Sequence, residues 1–274
     1  MTARVLVIAG SDSGGGAGIQ GDIKTVTMLG GYAATAITAL TAQNTLGVLA
    51  IHAVPASFIV QQIEVVLSDI GADAIKTGML QSGAVVRCIA GALEAWPAIP
   101  LIVDPVMAAK GGAALLQSEA VEGLLSLLIP RAALVTPNIP EAELLLDSMG
   151  YAMKLHTQED MEKAALRLLE TGCQAVLMKG GHLEGEKVTD ILVARNSASC
   201  IRYSSARLAT PHTHGTGCTL ASAIATGIAQ RMTLEEAVRR AHHYVHEAIR
   251  AAPGLGQGHG PLGHNWNLGS ASRI

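Results

Sequence analysis

Four short runs of unbroken apolar residues constrain this chain more than any other feature: Val5 to Ala9, Leu101 to Val103, Ala133 to Val135 and Ala175 to Met178. Each stops at a small or polar residue, Gly10, Asp104, Thr136 and Lys179 in turn. A strand with one wet face alternates apolar and polar residues, so unbroken hydrophobicity marks strands covered on both faces, as in a parallel sheet.

Helical patterns separate these runs. Thr157-x-x-Asp160 has the form of a capping box, is followed by apolar residues at Met161, Ala164, Ala165, Leu168 and Leu169, and stops at Gly172. Thr233-x-x-Glu236 opens a second such stripe through Ala237, Ala241, Tyr244, Val245 and Ala248. Further helices are expected near Ile19–Leu29, Phe58–Ile70, Ala84–Ala95, Glu119–Leu128, Glu141–Asp147 and Thr219–Gln230. Alternating strands and helices predict an α/β fold, a three-layer, doubly wound and mostly parallel sheet, with ligands beyond the carboxyl ends of the strands. Thr189–Ala194 and Cys200–Tyr203 flank an Asn196-Ser turn and are expected to form an antiparallel edge. We expect a single domain over residues 1–262, with residues 263–274 a tail and the Gly-rich stretch from Gly254 a loop or loosely held.

The strand-end rule gathers Gly10 to Asp12, Lys76 to Met79, Asp104 and Pro105, Thr136 to Asn138, and Lys179 to His182 at one crevice. Gly10-Ser-Asp-Ser-Gly-Gly-Gly-Ala-Gly18 is a strand-to-helix turn that suits an anion or a closely fitted polar ring, or simply a tight turn. It lacks the Gly-Lys-Ser/Thr of a Walker A loop, and no acidic residue closes a second strand as a dinucleotide fingerprint requires. Gly215, Thr216 and Gly217 precede Cys218 at a second helix start, where three amides form an anion nest and the helix dipole lowers a thiol pKa. The plainer reading there is a glycine N-cap above a buried thiol. Asp104 and Glu141, with Asn138, suit a hydrated magnesium ion, although Asp-Pro turns and Pro-Glu helix starts also occur for structural reasons. Lys179 is placed to direct a cation at phosphates.

Composition removes other classes. At 274 residues, 49% hydrophobic and 15% charged, the chain can bury a large aliphatic core, its aromatic share being only 3%. A net charge of −3 leaves no basic footprint for nucleic acid. No run is long enough for a membrane span, and the N-terminus meets Gly10-Ser-Asp12 too soon for a signal peptide, so a cytoplasmic protein is expected. Cys88, Cys173, Cys200 and Cys218 show no C-x-x-C spacing, which suggests neither zinc nor disulfides. His242 and His246, spaced i, i+4, invite a metal reading but lack a third ligand, and a solvated helix face is expected.

The ordered set Ala9–Gln20, Ala39–Thr45, Lys76–Leu80, Asp104–Met107, Thr136–Asn138, Lys179–His182 and His214–Cys218 closely resembles hydroxymethylpyrimidine/phosphomethylpyrimidine kinases of thiamine biosynthesis, in the ribokinase-like superfamily. The resemblance runs from Val5 to about Gly260 and implies transfer of the ATP γ-phosphoryl group, with Mg2+, to 4-amino-5-hydroxymethyl-2-methylpyrimidine and then to its monophosphate. It implies substrate contacts from Gln43, Asp22, Gly10, Met79 and Val106. Nucleotide contacts are implied for Asn138, Lys179, Thr213 and Gly217, and metal contacts for Asp104 and Glu141. Cys218 is implied as the base, with Gly215, Thr216, Gly217 and Lys179 offsetting charge. A homodimer is implied as well. The chain departs from its relatives at Gly21, at His212 and in the Asn-Trp-Asn267 ending. A pyridoxine or pyridoxal kinase on the same scaffold is the nearest rival. A ligand-binding regulator without transfer and a dinucleotide oxidoreductase are the readings from other classes.

Overall fold

The structure is a computed structural model that describes residues 2–107, 118–197 and 199–268. In chain order its elements are β1 (Arg4–Ala9), α1 (Gly18–Met28), β2 (Tyr32–Ile37), β3 (Ala39–Asn44), β4 (Gly47–Ala53), α2 (Ala56–Asp69), β5 (Ala74–Thr77), α3 (Gly83–Leu93), β6 (Leu101–Val103) and α4 (Ser118–Gly123). They continue with β7 (Leu134–Val135), α5 (Ile139–Ser148), α6 (Gln158–Leu169), β8 (Ala175–Met178), β9 (Lys187–Ala194), β10 (Ile201–Ala206), α7 (Thr216–Ala229) and α8 (Leu234–Arg250). A π-helical stretch, Leu124–Leu128, prolongs α4.

The main sheet has the order β10-β9-β8-β7-β6-β5-β1-β2. Strands β2, β1, β5, β6, β7 and β8 pair in parallel, and β9 and β10 close one edge antiparallel, as their polar turn predicts. Strand β1 shows why its sequence is unbroken. Leu6 and Ile8 pack into the core with α2 to α6, while Val5, Val7 and Ala9 pack with α1, α7 and α8 on the opposite face. All five are essentially buried, and each large aliphatic side chain contributes roughly 1.5–3 kcal/mol.

Both expected capping boxes form, at Thr157 with Asp160 and at Thr233 with Glu236. A third, Asn138 with Glu141, opens α5. The sequence reading did not foresee β2, nor that the Gln43 segment is the first strand of a separate two-stranded sheet, β3–β4. That hairpin stands over the carboxyl ends of the parallel strands, and Ser11 N donates to Ala39 O at 2.8 Å. The expected tail is also corrected in part. His264 is buried and Trp266 packs against His243 and Tyr244 of α8, so residues 263–268 belong to the domain; 269–274 lie outside the described residues. None of the described helices is long and apolar enough to cross a membrane.

Candidate active site

A cavity of about 1080 Å3 opens along the carboxyl ends of the parallel strands. Gly10 enters it from β1, Met79 from β5, Asp104 and Val106 from β6, Asn138 and Glu141 from the segment after β7, and Lys179 from β8. Gln43 faces it from the hairpin, and Thr213 with Gly215, Thr216, Gly217 and Cys218 from the start of α7. Segments far apart in sequence thus converge, and Gln43 and Cys218 open onto the same space.

The start of α7 is built from close approach. Gly215 has φ +87°, and a Cβ there would lie 1.9 Å from Gly16 O, so only glycine fits. Cys218 occupies the first turn, partly open to the cavity. Here the expected lowering of its pKa is corrected. Burial pushes the thiol up to about 11, with Asp22 and Asp104 adding to it, and neither Lys76 nor a Gly18 backbone contact reverses that.

Lys179 Nζ lies 2.9 Å from Asp104 Oδ1 and 3.5 Å from Glu141 Oε2, so an ammonium bridges the two carboxylates considered for metal. Thr136 Oγ1 also donates to Asp104 Oδ1 at 3.0 Å. Burial opposes the Lys179 charge, but Asp104 and Glu141 outweigh it and raise its pKa. Burial raises the Asp104 carboxyl too, yet Lys179 and Lys76 hold it below the usual range. Glu141 is pushed up to about 7 by burial, with Asp104 nearby, in spite of Lys179. Among the described residues no three His, Cys, Asp or Glu side chains form a metal cage. Two carboxylates drawn to one cation nevertheless fit a hydrated magnesium ion, which takes few protein oxygens and completes its shell with water and phosphate.

Asp22 does not line the cavity. It is fully buried, both its carboxylate oxygens lie 2.9 Å from Lys76 Nζ, and Ser222 Oγ donates to it at 2.6 Å. Burial disfavours both charges, but a bidentate pair with a third donor is the geometry of an ion pair, and Lys76 is raised by Asp22 accordingly. The expectation of a substrate contact from Asp22 and of an accessible Lys76 is therefore replaced by an internal pair beneath the site: a carboxylate on α1 and an ammonium in β5 satisfy each other in the core.

Around Gln43 the structure reveals a network of which the strand-end rule had placed only Asp12. Asp12 Oδ2 lies 2.8 Å from His214 Nε2 and accepts from the amides of Gly16 and Ala17, while Gly14 N donates to Oδ1. Burial raises the Asp12 carboxyl, but His214 and these amides outweigh it and hold the pKa below the usual range. His214 Nε2 is also 3.3 Å from the Gln43 amide, whose other end is 3.3 Å from Thr41 Oγ1. The single Thr41 hydroxyl hydrogen is taken by Ser11 O at 2.8 Å, and the carboxylate of Asp12 requires a hydrogen on His214 Nε2. Both demands are met when the Gln43 nitrogen faces Thr41 and its oxygen faces His214, since amide orientation follows from the network. With the His214 hydrogen given to Asp12, one Gln43 N–H and the Gln43 oxygen remain for a ligand.

Three further positions differ from expectation. His242 and His246 line the cavity with Asp190, where a solvated helix face was expected. His242 Nε2 lies 3.9 Å from Asp190 Oδ2, and His246 Nε2 is 3.2 Å from Ala206 O. Their i, i+4 spacing was visible, but nothing in the sequence showed that β9 and β10 pack across that face. His212, one of the departures from the family pattern, turns to the C-terminal loop, where a Cβ at Gly260 would lie 2.4 Å from its Nδ1. A side chain at Gly10 would lie 2.4 Å from Met79 Cε, so the glycine leaves room for the methionine that walls the pocket.

The sequence profile of the family described as Phosphomethylpyrimidine kinase matches residues 12–263. The Geobacter sulfurreducens thiamine biosynthesis bifunctional protein ThiED is 51% identical over 260 residues, which are 95% of this chain and 52% of that longer protein. The Bacillus subtilis hydroxymethylpyrimidine/phosphomethylpyrimidine kinase is 44% identical over 262 residues, covering 95% of this chain and 94% of the relative. Among solved structures, the Staphylococcus aureus pyridoxal kinase in complex with AMP-PCP and pyridoxal superposes with a TM-score of 0.87 at 33% identity, covering all of this chain and 96% of the other.

Proposed function

The chain belongs to the phosphomethylpyrimidine kinase family, and on that premise we propose that it transfers the γ-phosphoryl group of ATP to 4-amino-5-hydroxymethyl-2-methylpyrimidine and then to the resulting monophosphate. Its fold is ribokinase-like. The observation that carries the reading is the shared cavity: Gln43 at one end, the amides of residues 215–217 and the Cys218 thiol beside it, and Lys179 between two carboxylates. An aminopyrimidine presents an N–H donor next to a ring-nitrogen acceptor, and the Gln43 oxygen and N–H complement that edge. Gly10, Met79 and Val106 enclose the ring.

The phosphates occupy the nest, where amides and Lys179 offset the charge that spreads over the transferred group. Asn138 and Thr213 flank them. Asp104 and Glu141 would hold a hydrated Mg2+, which would neutralise phosphate charge. The hydroxymethyl oxygen attacks the γ-phosphorus in line, ADP leaves, and Cys218 accepts the hydroxyl proton. Burial keeps the ligand-free thiol protonated, so before it can accept that proton the thiol must release its own to solvent as the ligands bind, a loss that the Lys76 ammonium favours. In the second transfer the attacking phosphate oxygen is already anionic near neutral pH. The nucleoside extends towards His242, His246 and Asp190.

Similarity to a structure that holds pyridoxal favours a second reading, phosphorylation of a hydroxymethyl pyridine. ADP production with the aminopyrimidine, its monophosphate and pyridoxine separates them. Faster turnover of both pyrimidines is expected; turnover of pyridoxine alone would transfer the assignment to the second reading, and none with any of them would remove both. Exposed Leu40, Leu46 and Leu49 on the hairpin, with Phe58 and Val65 on α2, support a homodimer, which sedimentation of the wild type and of Leu49→Lys tests: a wild-type monomer refutes it. Four free thiols support a reducing, cytoplasmic setting, checked by fractionation of cells expressing the chain.

A further inference from the structure

The glycine-rich segment after α8 is a loop, as its composition predicts, but it is held as a contact surface. Thr45, in the turn between β3 and β4, accepts from His259 N through its carbonyl at 2.8 Å and from Gly258 N through Oγ1 at 3.3 Å. The opposite edge of the same segment meets the approach to α7: His214 N donates to Gly260 O at 3.2 Å, and His214 bridges Pro261. The His259 ring adds an Nδ1 contact to Pro211 O at 3.0 Å. These approaches exclude side chains, since a Cβ at Gly256 would lie 2.2 Å from Thr45 Oγ1 and one at Gly258 would lie 2.2 Å from Thr45 O.

The hairpin needs such support. A two-stranded ribbon is marginal in water, and this one exposes Leu46 (68%) and Leu49 (80%) near its tip. Ser11 ties its base at Ala39 O, and Ser13 Oγ exchanges hydrogen bonds with the Gln43 backbone. At the turn, residues 258 and 259 supply hydrogen bonds to Thr45, two positions beyond Gln43.

We propose that residues 256–261 form a strap that holds the hairpin turn to the segment entering α7 and thereby sets the reach of Gln43 into the cavity, which makes Thr45 and Gly258 positioning residues for the ring substrate. The same strap touches His214, so it fixes both partners of the Gln43–His214 contact. The kinetic part of this inference rests on the pyrimidine kinase reading; the mechanical part does not.

The test compares wild type, Gly258→Ala, Thr45→Val and Thr45→Ser in the full chain, by hydrogen exchange of amides 39–53 and by kinetics with the aminopyrimidine and ATP. In Gly258→Ala and Thr45→Val the hairpin amides are expected to exchange about tenfold faster than wild type, those of α7 at the wild-type rate. The aminopyrimidine KM should rise about tenfold, with kcat and the ATP KM within about twofold, and Thr45→Ser should restore both readouts. Unchanged hairpin exchange in both variants would overturn the strap, as would equal rises in the two KM values. A wild type that does not phosphorylate the ring would refute the functional reading alone, and exchange would still decide the strap.

Discussion

At Cys218 the start of a helix and a nearby ammonium favour the thiolate, and burial opposes them. Burial prevails, so the ligand-free thiol is pushed up to about 11 and is protonated at neutral pH. Its alkylation in the ligand-free protein should therefore be slow at pH 7 and climb steadily towards pH 11, as mass spectrometry of the Cys218 peptide will record; a plateau below pH 8 would contradict the burial argument. A loose phosphoryl transfer develops little demand for proton removal until late. Cys218→Ala is accordingly expected to slow the first transfer about 10²-fold and the second by less than about tenfold, because the second nucleophile needs no base. Equal losses in the two half-reactions would remove the base role.

Elements rather than residues explain what was legible beforehand. The unbroken apolar runs identified β1, β6, β7 and β8, and the strand-end rule then pointed to Gly10, Asp104, Asn138 and Lys179, all of which reach the cavity. It failed at Lys76, because the ammonium lies within β5, short of the strand end, and meets Asp22 in the interior. The hairpin escaped notice because Ala39–Asn44 carries small and polar residues with little strand signature. The hold on the segment after Gly254 was not legible for a related reason: glycine there records backbones in contact, which composition cannot distinguish from freedom. His264, within that region, offers a measure of how firmly it is held. Thr219 Oγ1 lies 3.0 Å from its Nε2, Tyr244 donates to its carbonyl, and burial lowers its pKa from 6.5 to about 4. A depressed histidine pKa stabilises the fold fully above about pH 6.5, and that contribution fades as pH falls towards about 4, a loss of roughly 3 kcal/mol. Urea unfolding at pH 7 and pH 4.5 should show wild type losing more stability than His264→Gln; parallel losses would mean the ring is not held neutral.

For the molecule as a whole, the Lys76–Asp22–Ser222 cluster fastens the sheet to the layer formed by α1 and α7. Removing one partner of a buried pair leaves an uncompensated charge, so Lys76→Met should cost about 3–5 kcal/mol in urea unfolding, and adding Asp22→Leu should recover much of it. No recovery would show that packing around Lys76 matters more than its charge. The same long-range stitching joins Asp12 to His214 and Asp22 to Ser222, partners separated by 202 and 200 positions. During synthesis about two hundred residues must therefore be added after Asp12 and after Asp22 before either meets its partner. A nascent chain halted ahead of α7 carries Gln43 and Lys179 without the His214 and Cys218 that complete the cavity, so a ligand that needs both sides stabilises the fold only once α7 has been made.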